Sequence, residues 1–506
     1  MIEIVHLSST RSVGRQLATM LFAGLLLLGL ILRLVITFAF PNINHPDETY
    51  QTLEQALRLT TGVGFVPWEF ETGIRSWLLP GLFAGLMKIA RLTGSTPENY
   101  PTVIYIFMDI LSLLAVVCGF LWGRRAFGIV GAVVVGFVNA SWPDLVYFAP
   151  HTLTEVAAGD LFILALYLAY PDRQEVTSGR LFAAGILFGL TLVLRFHIGP
   201  AIAVGVAGVC GLEVRRCWMP IVLGAAFPLV ASGVLDALTL GFPLQSIWLN
   251  AWVNLYQGKS EEFGALPWFY LFGVIAILWG GAFAFIIALA SLGGRRLPLL
   301  LAVTGTILAT NSLIPHKEYR FIYPALPLIA TLAGIGSVEL LDVLWRALRP
   351  RTGRFIGALS AASVWGCVSV LLLASAPFQH LLLRFSGNIA AARALSGTAA
   401  VCGIAVYELT PPFWPLGHAY LREGIALYLL SSDTELAADE SKFNAIVTKQ
   451  STTVPALSFT RRTCFANGYG GFWEGVRSKE LAEPICIWLR PGTCARDMAN
   501  DQRTEQ

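Results

Sequence analysis

His45-Pro46-Asp47-Glu48 closes the first apolar run of this chain and opens a loop dense in charge and aromatic residues. A carboxylate at the edge of lipid loses hydration, so an acid pair placed there is kept for chemistry or for a partner. From that position a carboxylate can take the proton of an acceptor hydroxyl as its oxygen attacks a sugar carbon. Trp68-Glu69-Phe70 and Gly73-Ile74-Arg75-Ser76 follow on the same loop, and His316-Lys317-Glu318-Tyr319-Arg320 comes far downstream. His316, Lys317 and Arg320 can together hold a phosphate, Arg320 as a planar fork and Lys317 as a point charge. Plainer readings exist for both clusters. Asp47 could cap a following helix, and the basic strip could be Lys and Arg snorkelling at helix ends. The company of Trp68, Glu69 and Arg75, and cations on the side where positives are scarce, favour chemistry.

The elements that must position these residues are membrane helices. Of 506 residues, 55% are apolar and only 13% charged, with a mean hydropathy of +0.65. Soluble domains carry about a quarter charged residues, so the composition is that of an integral membrane protein. The net charge of +3 is carried by short basic pairs rather than one basic face, which speaks against a nucleic-acid partner. Apolar runs predict helices near 17–40, 101–122, 126–140, 152–170, 181–195, 198–212, 218–239, 267–290, 297–313, 321–342 and 355–376. That is about eleven spans (roughly nine to thirteen) on a requirement of roughly 20 residues each. The first, preceded by Arg11 and Arg15, lacks a small-residue cleavage site and reads as a retained helix. Arg124-Arg125, Arg173, Arg215-Arg216, Arg295-Arg296 and the group Arg346, Arg349, Arg351 and Arg354 fall in alternate loops, on the side of Arg11 and Arg15. Short cytoplasmic loops gather Lys and Arg, so the N-terminus is expected inside and the C-terminus outside. The opposite loops (41–100, Trp142 to His151, Arg195 to His197, 240–266 and the His316 stretch) would then face the outer leaflet, with 78–92 as an interfacial helix.

From about residue 377 charged residues become frequent, and β-prone runs appear at Val401 to Val406, Ala426 to Leu430 and Phe443 to Thr448. The expected division is a transmembrane catalytic domain over 1–376 and a soluble outer α/β domain over 377–506, large enough for its own core. Cys118, Cys210, Cys217 and Cys367 fall in or beside helices, where a thiol is an ordinary small apolar group. Cys402, Cys464, Cys486 and Cys494 lie in the outer domain, where at least one disulfide is expected, using Cys464 with Cys486 or Cys494. No close Cys-x-x-Cys pair suggests zinc. Arg33 and Asp109 lie inside apolar helices and are functional candidates by position, as are Arg195 and His197 at an outer helix end. Arg33 could also snorkel and Asp109 could simply pair with a neighbour, while Glu155 and Asp160 fit a structural role. Gly62-Val63-Gly64 is too short for a dinucleotide loop, and no nucleophile elbow or P-loop lysine occurs.

Three blocks in order resemble the Alg9-like mannosyltransferase family, which includes the mannosyltransferases of GPI-anchor and N-glycan precursor assembly. The first is His45-Pro46-Asp47-Glu48 with Tyr50-Gln51, Leu53-Glu54, Pro67-Trp68-Glu69-Phe70 and Gly73-Ile74-Arg75-Ser76. The second runs from Asn254-Leu255-Tyr256 through Phe263-Gly264 to Pro267-Trp268-Phe269-Tyr270, and the third is His316-Lys317-Glu318-Tyr319-Arg320-Phe321 with Tyr323-Pro324 and Pro327-Leu328. Val66, Phe70 and Tyr319 stand where the family more often has threonine, tryptophan and an acid, and no block matches after 377. The resemblance implies a polytopic α-helical GT-C glycosyltransferase fold and a sugar, mannose, carried on a polyprenyl phosphate. It implies inverting transfer to a glycan or glycolipid hydroxyl, with Asp47 as base and Glu48 beside it. His316, Lys317 and Arg320, assisted by Arg75 or Arg195, would hold the departing phosphate. His45, Trp68, Glu69, Asn254, Trp268 and Tyr270 would line the sugar and acceptor site, the tryptophans offering faces for sugar rings. A lipid phosphate leaves more readily than a nucleotide diphosphate, so no metal or other cofactor is expected. The expected setting is a bacterial inner membrane with a periplasmic site, or alternatively an endoplasmic reticulum membrane with a luminal one. A flippase would share the helices and buried charge but should show internal repeats and broken helices, which are not evident. A polymerase or ligase of lipid-linked glycans would share the outer-leaflet site and donor type.

Overall fold

The computed structural model describes residues 2–94, 96, 99–170, 176–348, 354–409, 414–454, 458–459, 461–468 and 483–495. Arg173, Arg349 and Arg351 of the topology argument lie outside the described residues, and the side chains of Arg11, Arg15 and Arg354 are not described. The chain forms two compact units: Met1–Val35, Met108–Ala149 and Thr154–Ser375 make the first, and Ile36–Phe107, Pro150–Leu153 and Ala376–Gln506 the second.

Each apolar run expected to span coincides with helix. Six helices are long and apolar enough to cross a membrane among the described residues: Gln16–Ala39, Tyr100–Ser141, Val214–Thr239, Tyr270–Gly294, Tyr319–Arg346 and Ile356–Leu373. The others are shorter, among them Thr154–Ala169, Ser178–Leu194, Gly199–Cys210 and Pro298–Leu313. Short spans are tolerated where protein rather than lipid surrounds the backbone, and Thr154–Ala169 is buried along most of its length. Tyr100–Ser141 contains two expected spans joined by a break at Phe127 and Gly128 (φ 62°), a left-handed conformation that glycine reaches at no cost. Tyr319–Arg346 is 89% buried over its apolar window and runs through the middle of the first unit, whereas Gln16–Ala39, at 28%, is peripheral. Gly336 lets the Leu326–Leu348 helix sit against Phe283–Gly294, since a Cβ there would collide with the Leu289 carbonyl. Arg33 does not snorkel. It is fully buried and donates from Nε to Ser112 Oγ at 2.6 Å and from a terminal nitrogen to the Gly29 and Ala140 carbonyls, tying the first helix to both arms of Tyr100–Ser141.

The second unit contains the helical turn Glu48–Leu53, the helices Glu54–Thr61 and Leu78–Leu92, the latter over the residues expected to form an interfacial helix, and a five-stranded sheet. The strands are β1 (Gly403–Tyr407), β2 (Ala426–Leu430), β3 (Ala445–Lys449), β4 (Arg461–Phe465) and β5 (Ile485–Leu489), in the order β2-β1-β3-β5-β4. β1 is parallel to β2 and β3, while β5 is antiparallel to β3 and β4. The first loop belongs to this unit. Ile43 joins the core of Ile404, Val406, Trp414 and Leu416, and Tyr50 donates its hydroxyl to the Trp414 carbonyl at 2.8 Å. Glu54, fully buried, accepts the Phe65 amide at 2.9 Å and the Ala419 amide at 2.7 Å.

Cys464 pairs with Cys486 across β4 and β5, and Cys402 with Cys494. A third bridge corrects the reading of Cys210 and Cys217 as free apolar thiols. The helix ending at Cys210 reverses at Gly211 (φ 48°), which returns the chain so that Cys217 meets Cys210, their Cα atoms 5.2 Å apart. Cys118 and Cys367 are free.

Candidate functional site

The site residues fall into two groups, each inside one unit. In the second unit, the Pro46 carbonyl accepts the Thr49 and Tyr50 amides and starts the turn Glu48–Leu53. Asp47 stands at the cap position of that turn, yet its side chain makes no capping bond. The expected alternative, a purely capping Asp47, is therefore not what the geometry shows. Glu48 does the local work instead. It is 1% exposed, accepts the Asn44 and His45 amides on Oε1 at 2.7 and 3.0 Å, and meets His151 Nδ1 at 2.8 Å on Oε2. Asp47 is more open, at 22%, with His45 Nδ1 3.2 Å from its carboxylate. Glu69 accepts from Gln51 Nε2 at 2.8 Å. Burial, then the negative charge of Asp47, holds the Glu69 carboxyl above its ordinary range, while Arg75 draws it the other way. Arg75 therefore sits with the acids, its Nε buried without a hydrogen-bond partner among the described residues, and in a different unit from the other basic candidates. Trp68 begins the short turn Trp68–Glu71 and is half-buried.

In the first unit the other two sequence blocks meet. After the Pro298–Leu313 helix the chain bends over residues 314–316 and, from an extended Glu318, turns at Tyr319–Ala325 into the next helix. The Leu266 amide donates to the Pro315 carbonyl at 2.9 Å, and His316 Nδ1 lies 3.1 Å from the Gly264 carbonyl. Lys317, 4% exposed, donates to the carbonyls of Leu266 (2.8 Å), Pro315 (3.4 Å) and Ile314. Its ammonium is thereby engaged by backbone and staples the two blocks together. His316 Nε2 lies 2.9 Å from Glu318 Oε1. Burial pulls the imidazole down, but the Glu318 carboxylate and the Gly264 carbonyl outweigh it, and His316 is held above its ordinary range. Arg320 Nε donates to Glu318 at 2.6 Å and lies 3.5 Å from Glu155 Oε1, the oxygen that Arg195 also contacts. Tyr319 and Trp279 donate to the two oxygens of Asp144, the latter at 2.8 Å; burial pushes this carboxyl up to about 6. Asn254 is half-buried and donates to Asn250 Oδ1 at 2.8 Å, Tyr270 opens a helix, and Trp268 is 66% exposed.

His151, Gln51, Asp144 and Glu155 are the participants that sequence reasoning left out of the site. His151 and Asp144 lie in the Trp142–His151 loop, whose concentration of polar and aromatic residues was the available signal. Among the described residues no group of three or more His, Cys, Asp or Glu is placed to hold a metal ion.

A model of the Alg9-like mannosyltransferase family matches residues 25–391. "GPI mannosyltransferase 3" of Yarrowia lipolytica is 28% identical over 56% of this chain and 56% of its own length. "GPI alpha-1,2-mannosyltransferase 3" of Homo sapiens is 25% identical over 62% of this chain and 58% of its own. The chain thus spans little more than half the length of these curated relatives. Among solved structures, ArnT from Cupriavidus metallidurans bound to undecaprenyl phosphate superposes with a TM-score of 0.58 at 12% identity, covering 95% of this chain and 99% of that one. That likeness is one of fold, the GT-C fold of membrane glycosyltransferases.

Proposed function

Because the chain belongs to the Alg9-like mannosyltransferase family, we propose that it moves mannose, with inversion, from a polyprenyl phosphate to a hydroxyl of a glycan or glycolipid. The observation that carries the chemistry is the division of labour between adjacent acids. Glu48 is locked by two amides and His151, whereas Asp47 is partly open and makes no capping bond. A general base must reach the proton it takes, and Asp47 answers that requirement where Glu48 does not. The acceptor proton passes to Asp47 as the acceptor oxygen bonds to the anomeric carbon and the bond from that carbon to the phosphate oxygen breaks. The departing phosphate needs cations, and Arg320, Arg195 and His316 offer them. Lys317, expected among the phosphate ligands, serves in this reading to hold the strip in shape. Glu69, His45 and Arg75 surround Asp47 as contacts for sugar or acceptor, and Trp68 and Trp268 offer ring faces.

The lipid-phosphate donor is supported by the family and by the fold shared with an ArnT whose structure holds undecaprenyl phosphate. No metal is required in this scheme, since a lipid phosphate leaves with charge stabilisation from guanidinium groups. The chain is an integral membrane protein. We place its site on the non-cytoplasmic face, and the eukaryotic relatives weigh toward an endoplasmic reticulum lumen over the bacterial periplasm expected from sequence. The test is incubation of purified protein with polyprenyl-phosphate mannose or a nucleotide-linked mannose and a panel of glycolipid acceptors. Transfer from the lipid donor in the presence of chelator is the expected result. Transfer from the nucleotide sugar alone would overturn the donor assignment.

A further inference from the structure

We propose that Glu155 is a positioning residue that sets Arg195 and Arg320 as a paired guanidinium grip for a lipid-linked phosphate. The inference rests on reading those two arginines as phosphate ligands. Three separate elements converge here. Glu155 lies in the first turn of Thr154–Ala169, where Thr154 Oγ1 donates to its Oε2 at 3.1 Å and fixes the carboxylate. Arg195 follows the last residue of the Ser178–Leu194 helix, where a cation also complements the helix's terminal carbonyls. Arg320 comes from the turn Tyr319–Ala325.

Arg195 contacts Glu155 Oε1, and Arg320 Nε is 3.5 Å from the same oxygen. Both guanidinium carbons lie 5.5 Å from the ring centroid of Phe321, so one aromatic ring and one carboxylate oxygen are common to the pair. The side chains are secluded, with 4% exposure for Glu155 and Arg320 and 11% for Arg195. Two like charges held this close and out of water repel unless an anion lies between them. Glu318 also serves Arg320, but it is shared with His316. Glu155 is the carboxylate that Arg195 and Arg320 share. With Glu155 neutralised, the two cations lose their shared carboxylate, and a phosphate must order them against their mutual repulsion.

The test uses the full chain in nanodiscs, with undecaprenyl phosphate as the binding probe and donor kinetics alongside. Glu155→Gln should raise the probe's Kd and the donor KM about tenfold, the loss of one charge-assisted contact, with a smaller change in kcat. Glu155→Asp, which keeps the charge on a shorter arm, should fall between Gln and the native residue. The double variant Glu155→Gln/Arg195→Gln should lose less binding than the sum of the two single losses, because part of what Glu155 does is done through Arg195. Native-like or tighter binding by a Glu155→Gln protein that melts normally would overturn the proposal, as would additive losses. If the Gln variant does not fold, Glu155→Asp binding like the native protein overturns it instead. Unchanged binding in both Arg195→Gln and Arg320→Gln would sink the phosphate reading itself, whatever Glu155→Gln does.

Discussion

Replacing Lys317 by methionine keeps most of the buried stem and removes the ammonium. The three carbonyls it serves belong to Ile314, Pro315 and Leu266, so the substitution unfastens the His316 strip from the Gly264–Leu266 segment. A hydrogen bond from a charged group contributes about 1.5–3 kcal/mol, and stranded buried acceptors cost about 1–3 kcal/mol each. The contact to Pro315 is long at 3.4 Å, and Leu266 keeps its amide bond to that same residue, so the three do not simply add. Water can also reach the strip beside His316 and Glu318, which are 16% and 20% exposed. About 2–4 kcal/mol of lost stability follows, from two close contacts and one weak one, offset in part by rehydration. Thermal melting in nanodiscs, read with and without saturating undecaprenyl phosphate, separates the two roles. The staple predicts a lower melting temperature in both conditions and the same ligand-induced increment. A native melting temperature with the increment abolished would show that Lys317 grips the phosphate directly and would refute the staple.

Asp144 should make stability depend on pH. Its carboxyl is raised to about 6 from an ordinary value near 4, so its favourable contribution is full below about pH 4 and is lost as pH rises through about 6. Asp144→Asn should therefore flatten the difference in melting between pH 4 and pH 7, by about 3 kcal/mol, and a curve parallel to the native one would count against the burial argument. In denatured, unreduced protein Cys118 and Cys367 should alkylate and Cys402, Cys464, Cys486 and Cys494 should not, and Cys464→Ser should cost about 2–4 kcal/mol in unfolding free energy. Labelling of any of those four would break the pairing of the sheet-bearing unit. Reporters fused after residue 377 should be active only outside the cytoplasm and those near Arg295 only inside, and the reverse would invert the orientation argument.

The helices and the first three strands were readable because hydropathy runs and β-branched clusters report burial locally. β1, β2 and β3 fall within a residue or two of the runs at 401, 426 and 443. β4 was not readable, since Arg461-Arg462-Thr463 looks like a loop until β5 pairs with it. The acid pair was visible, but its division of labour was not. Glu48 is fixed by His151, 103 residues away, and no spacing rule foretells that bond. Likewise Glu155 reaches Arg195 and Arg320 only after three elements have packed, and Lys317 finds a carbonyl 51 residues upstream. The first loop joined the sheet-bearing unit through Tyr50 and Glu54, whose partners lie more than three hundred residues on. Residue types marked the candidates; long-range polar contacts set the surroundings of each.

The central claim is that Asp47 is the base of mannosyl transfer, and Asp47→Asn tests it most directly. The amide fits the same space and cannot take a proton, and its neighbour Glu48, which holds the loop, is untouched. Single-turnover transfer from polyprenyl-phosphate mannose should slow by about 10²–10⁴-fold, with melting temperature and undecaprenyl phosphate binding unchanged. Near-native turnover in a correctly folded Asp47→Asn protein would remove Asp47 from the mechanism.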